Sequence, residues 1–250
     1  MSKQKHIVGI FDSGVGGFSV LKEIKKNHNI DIFYFGDCAR APYGNRDVKE
    51  ISSFIKEIIL YLKSKGVTHF VSACNSMSVL MTEQLLKECK VEADLYIDMI
   101  QAFKNHFDLI TNAKVLLIGT QATINSNVYQ NFLKGKIDNI YEYIPHTLAG
   151  DIESNLDVSD LKNTIMPIID YAKKIQATHI IYGCTHYPLV NDVFEECSKD
   201  LDYKLEFVDP AKYVSKAIND WSISGENNIL FETSKETLPF KKYCESFYKN

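Results

Sequence analysis

Two stretches of the chain, 110 residues apart, follow one pattern: Val67-Thr68-His69-Phe70-Val71-Ser72-Ala73-Cys74-Asn75 aligns with Ala177-Thr178-His179-Ile180-Ile181-Tyr182-Gly183-Cys184-Thr185. Each is a run of β-branched and aromatic residues that opens with Thr-His and closes on a cysteine followed by a residue suited to helix capping. At a similar offset, residues 7–11, ending in Asp12-Ser13, match residues 115–119, ending in Thr120. The repeat predicts two halves of like topology, each carrying one cysteine just past a strand.

The segments between support this. Short apolar runs at residues 6–11, 30–36, 68–73, 95–99, 115–119, 140–144, 178–183 and 204–208 predict strands. Longer amphipathic stretches at 18–26, 48–65, 77–88, 125–133, 160–174 and 188–199 predict helices. Strand and helix alternating in this way build parallel sheets from βα units. The expected class is α/β, with two pseudo-symmetric domains, each a mostly parallel sheet flanked by helices. The repeat sets the half length, and a crossover falls just before residue 99. The first domain is therefore expected over residues 1–98 plus 208–250 and the second over 99–207, with the active site at their interface.

Charge and composition narrow the partners. A net charge of −4 with Lys and Arg scattered along the chain offers no basic stripe for nucleic acid or an anionic membrane. A small-molecule substrate is expected instead. The apolar stretch near the N-terminus breaks at Asp12, too early for a signal sequence, and no run of about 18 apolar residues occurs, so a cytoplasmic protein is expected. In a reducing compartment the six cysteines are expected to be free thiols, since they form neither a C-x-x-C pair nor a zinc-spaced cluster. Cys89, Cys197 and Cys244 read as small buried hydrophobes. No metal site is expected, and the residues leave the oligomeric state open, a homodimer included.

In open parallel sheets ligands bind outside the carboxyl ends of the strands. Four segments fall there: Asp12-Ser13-Gly14-Val15-Gly16-Gly17, Pro42-Tyr43-Gly44, Cys74-Asn75-Ser76 and Cys184-Thr185-His186. The first joins a carboxylate and a hydroxyl to a glycine-rich turn before a helix, so its free N–H groups suit a substrate carboxylate and Asp12 suits an ammonium group. It also suits a plain tight turn, being neither a full dinucleotide fingerprint nor a phosphate loop. Cys74 and Cys184 each precede a predicted helix, whose N-terminus favours the thiolate over a free thiol of pKa about 8.5. A thiolate on one side of a substrate and a thiol on the other would suit stereoinversion. His186 is placed to poise Cys184, whereas His69 and His179, at the strand entrances, are read as structural.

Together the segments VGIFDSGVGGFSVLKEI, YFGDCARAPYGNRD, SACNSMSV, LIGTQATINSNVY and YGCTHYPLV resemble the glutamate racemases of the aspartate/glutamate racemase superfamily, in the right order from Ile7 to about Asp209. The resemblance implies paired α/β domains, with the C-terminal part returning to the first. It implies that Cys74 and Cys184 are the acid/base pair. Substrate-binding positions would be Asp12, Ser13, Tyr43, Gly44, Asn75, Ser76, Thr123, Thr185 and His186, with Asp12 and His186 also serving catalysis. It further implies no cofactor, neither pyridoxal phosphate nor a metal, and a product, D-glutamate, destined for bacterial peptidoglycan. Three departures stand out: Ser76 where the family usually has Thr, Leu95–Ile100 in place of a glycine-bearing crossover, and Gly150-Asp151-Ile152-Glu153 in place of a proline-leucine run. Glu153 is the best match for the family's catalytic-site glutamate. Aspartate as substrate, or an amino-acid binding protein without catalysis, are the competing readings; a binder would need neither cysteine. A pyridoxal-phosphate racemase would need a lysine in a strand-end segment, and these four have none.

Overall fold

The computed structural model describes residues 6–44, 46–108, 110, 113–137 and 139–248. The strands are β1 Ile7–Asp12, β2 Asp31–Gly36, β3 His69–Ser72, β4 Tyr96–Asp98, β5 Lys114–Gly119, β6 Asn139–Tyr143, β7 His179–Gly183, β8 Glu206–Val208 and β9 Ile229–Thr233. They form two wholly parallel sheets, β4-β3-β1-β2-β9 and β6-β5-β7-β8. Reversing the second order gives 8-7-5-6, which matches 4-3-1-2 strand for strand. The sequence repeat is thus a repeat of topology, and β9 is an addition to the first half.

The helices are α1 Phe18–Asn27, α2 Val48–Ser64, α3 Asn75–Ser78, α4 Glu83–Glu88, α5 Met99–His106, α6 Gln121–Asn125, α7 Val128–Leu133, α8 Leu148–Glu153, α9 Val158–Lys174, α10 Asn191–Asp200, α11 Ala211–Ile218 and α12 Leu238–Tyr248. Two of them carry the repeat in detail. In α2 the buried residues are Ile51, Ile55, Ile58, Ile59 and Leu62, and in α9 they are Leu161, Ile165, Ile168, Ile169 and Ala172, the same spacing 110 positions later. That spacing puts one apolar stripe against the sheet. Asp47 and Asp157 cap the two helices, accepting from Lys49 N and Asp160 N.

The Thr-His pairs do the same work in each half. The Thr68 hydroxyl accepts from Ile7 N at 3.0 Å and faces Ile7 O at 3.2 Å; Thr178 meets Lys114 N and O at 3.1 and 3.2 Å. Each hydroxyl also meets Nδ1 of the following histidine, at 2.9 and 2.8 Å. They lace the entrance ends of paired strands together, far from the cysteines.

Several predicted helices are divided. The stretch 77–88 becomes α3 and α4, separated by a turn in which Thr82 caps the second. The stretch 125–133 breaks at Asn127, whose φ of 56° is left-handed and ends α6. Residues 187–190 form a 3₁₀ turn ahead of α10. Cys89 and Cys197 are buried as expected, whereas Cys244, on α12, is only partly so. Helix α5 joins the halves: Met99 and Ala102 pack into the first core, Ile100 and Phe103 into the second. Among the described residues no helix is long and apolar enough to cross a membrane.

Candidate active site

The carboxyl ends of β1, β3, β5 and β7 converge, and the segments that follow them knit the halves together. Thr185 Oγ1 donates to Asp12 Oδ2 at 3.1 Å, and Ser19 Oγ donates to Thr185 O at 2.9 Å. Val15 N donates to Glu153 Oε2 at 3.0 Å. Tyr129 OH donates to Asn75 Oδ1 at 2.7 Å, and the hydroxyls of Ser76 and Thr120 meet at 3.0 Å. Ala122 N donates to Gly44 O at 3.2 Å. Asp12, Ser13, Asn75, Ser76, Thr123, Thr185 and His186 are all buried along this seam, as are both cysteines.

The glycine-rich turn is shaped by what crosses it. A side chain at Gly14 would stand 2.3 Å from Glu153 Oε2, and one at Gly16 would stand 2.5 Å from His186 Nδ1. Bare backbone at these two positions lets the second half approach. The turn holds itself through Gly14 N, which donates to Asp12 Oδ1 at 2.7 Å, and Tyr34 OH, which donates to Gly14 O at 3.0 Å.

Cys184 and His186 form a short relay. The sulfur lies 3.7 Å from His186 Nδ1, and His186 Nε2 lies 2.8 Å from Glu153 Oε2. Burial works against a charged imidazole, but its contacts with Cys184 and Glu153 outweigh burial and hold His186 well above the ordinary histidine range. Burial likewise opposes the Glu153 carboxylate, yet the His186 ring and the Val15 amide bring it below its usual value. Both partners therefore favour the ion pair.

Cys74 sits differently. Its sulfur is 3.7 Å from Ser13 Oγ and lies within electrostatic range of Asp12 and Cys184. Burial, then the Asp12 charge, push this thiol up rather than down. The expectation of a thiolate-favouring helix N-terminus fails here because burial outweighs the lowering by the Met77 amide and the Ser13 hydroxyl. After Cys184 comes a 3₁₀ turn, not an α-helix, and the His186 ring faces its sulfur.

One predicted binding residue, Tyr43, is engaged elsewhere, and another, Thr123, is tied in along the seam. Tyr43 OH donates to Asp37 Oδ2, which also holds Arg40 Nε at 2.5 Å, and so the phenol is taken up within the first half while Gly44 meets Thr120 and Ala122. Thr123 Oγ1 meets Thr120 Oγ1 at 3.0 Å, so Thr120 links it to Ser76. Thr120, Tyr129 and Tyr187 were not singled out from sequence. All three lay inside the motifs quoted above, but only the fold shows what surrounds them. Beside the seam Pro42, Gly44, Thr120, Gly150 and Tyr187 line a cavity of about 260 Å³.

Asp12 is fully buried, and burial raises its carboxyl to about 6, with His186 and the Gly14 amide opposing. The native protein thus keeps a proton that the unfolded chain loses near pH 4. Stability from this group is complete below that pH and is lost as pH rises through about 6. Asp12→Asn is accordingly expected to stabilise the substrate-free protein at pH 7.5, by about 1–3 kcal/mol. Urea titration would measure this; the gain should vanish at pH 3.5, and a loss at pH 7.5 would contradict it.

A family model described as Asp/Glu/Hydantoin racemase matches residues 22–217. Glutamate racemase 3 of Caldanaerobacter subterraneus subsp. tengcongensis is 32% identical over 247 residues, covering 93% of this chain and 87% of its own. The glutamate racemase of Helicobacter pylori strain P12 is 38% identical over 191 residues, 75% of this chain and 74% of its own. The crystal structure of glutamate racemase from Francisella tularensis subsp. tularensis SCHU S4 in complex with D-glutamate aligns with a TM-score of 0.81 at 26% identity, covering 99% of this chain and 95% of that one. By sequence and by fold, the chain belongs to the Asp/Glu/Hydantoin racemase family.

Proposed function

We propose that the protein interconverts L- and D-glutamate without a cofactor, and so supplies D-glutamate for peptidoglycan in the cytoplasm. The observation that carries this is the pair of buried cysteines at the ends of the equivalent strands β3 and β7, within electrostatic range across one seam. Sheet membership, Val208 at the end of β8 apart, supports two domains, residues 1–98 plus 208–250 and residues 99–207, with substrate held between them.

In this reading Cys184, as thiolate, takes the α-proton of L-glutamate, and the Cys74 thiol delivers its proton to the opposite face. Cys184 is then the thiol and Cys74 the thiolate, so D-glutamate reacts by the same path reversed. The pair carries one proton before and after each turnover. Asp12 faces the substrate ammonium, which would keep its carboxylate ionised at neutral pH. The hydroxyls of Ser13, Ser76, Thr123 and Thr185, the Asn75 amide and the backbone at Gly44 suit the two carboxylates; Asn75 Nδ2 is buried with no partner in the substrate-free protein. Glu153 acts through His186, which supports the Cys184 thiolate.

Purified protein incubated with each enantiomer of glutamate and of aspartate, without added cofactor, tests this by chiral chromatography. Conversion of both glutamate enantiomers, faster than aspartate, is expected. Turnover of aspartate alone would reassign the substrate, and turnover of neither would sink the proposal.

A further inference from the structure

Tyr187 follows the Cys184-Thr185-His186 segment and is wholly buried. Its hydroxyl has no hydrogen-bond partner of ordinary length, yet it lies beside the Cys184 sulfur, and both residues belong to one core cluster. The ring also borders the cavity that contains Gly44 and Thr120. A buried O–H without an acceptor is costly, so a native protein retains one where an acceptor arises at some stage. A neutral thiol accepts weakly; a thiolate accepts strongly.

We propose that Tyr187 donates a hydrogen bond to Cys184 when that sulfur is a thiolate, making it a catalytic residue on the reacting atom. The inference rests on the two-cysteine reading above. His186 Nδ1 approaches the same sulfur at 3.7 Å, so the thiolate would be held between two donors. The other titratable groups facing it are Cys74 after β3 and Tyr129 from α7, with Asp12 behind Thr185 and Glu153 behind His186. Burial and the neighbouring sulfur keep the phenol protonated, so Tyr187 remains a donor. No proton leaves it: the substrate's α-proton goes to Cys184 and the Cys74 thiol returns another to the opposite face, and the Tyr187 hydrogen bond weakens as the Cys184 thiol forms. Cys74 has the Ser13 hydroxyl and the Met77 amide in the corresponding places, neither of them a charged donor. The two sulfurs therefore meet unequal sets of donors.

Tyr187→Phe removes the hydroxyl and breaks no hydrogen bond of ordinary length in the resting protein, so the fold should survive. Wild type and variant would be alkylated with iodoacetamide across a pH series, and labelling at Cys184 read by peptide mass spectrometry. The labelling midpoint is expected to rise by about one pH unit, with kcat/KM for glutamate about tenfold lower at neutral pH. A role in packing alone would lower the rate at every pH and leave the midpoint in place; an unmoved midpoint would overturn the proposal. Because labelling needs no turnover, a moved midpoint in a protein that racemises nothing would support the pairing while refuting the function. An unmoved midpoint in an active racemase would do the reverse.

Discussion

Cys74→Ala and Cys184→Ala are each expected to lower racemisation at least about 10³-fold, and in both directions. Each thiol is the base for one enantiomer and the acid for the other, so removing either one halts both. The double variant should be little worse than either single one, because the pair acts as a unit. Both side chains are small and buried, and alanine removes one sulfur atom, so the fold should persist. Chiral chromatography from each enantiomer, on protein free of host racemase, provides the measurement. A single variant retaining a tenth of the activity would show that other groups move the proton.

His186→Asn should have the next largest effect, about 10²-fold on kcat/KM, because asparagine can donate a hydrogen bond but carries no charge beside Cys184. The two enantiomers have equal free energy in water, so kcat/KM must fall equally in both directions at any pH. Any asymmetry has to appear in kcat and KM taken separately, and it should appear there, since His186 contacts only one of the two sulfurs. Glu153→Gln should cost less, and should cost almost nothing further once His186 is gone, because its contact with the relay is through that ring. Steady-state kinetics in both directions decide the matter. Identical changes in kcat each way would argue that the ring serves the whole site rather than Cys184.

Much of this arrangement was legible in the sequence, because repeats and strand ends are local signals. The Thr-His-to-cysteine match located β3 and β7 and hence the two thiols, and the isoleucine spacing of α2 recurs in α9. Glu153 was reached by resemblance, and the structure sets it on the Val15 amide and the His186 ring. What was hidden depended on contacts distant in sequence. Nothing near Tyr43 says that its phenol is taken by Asp37, and nothing near Thr120 says that it links Ser76 to Thr123. The break at Asn127 needed a left-handed residue that an amphipathic pattern does not reveal, and β9 fills an edge that has no counterpart in the repeat. The environment of Cys74 was misjudged for the same reason: burial and a carboxylate distant in sequence, not the local capping residues, set it.

The central claim is that one cysteine removes the α-proton and the other returns a different one, on the opposite face. Running the reaction in deuterium oxide and following each enantiomer by mass tests it most directly. Early in turnover, product formed from either enantiomer should carry one solvent deuterium, while recovered substrate remains protiated, because the removed proton stays on the sulfur that took it. Deuterium entering recovered substrate as fast as product, from both directions, would mean that a single base serves both faces, and would contradict the two-cysteine account.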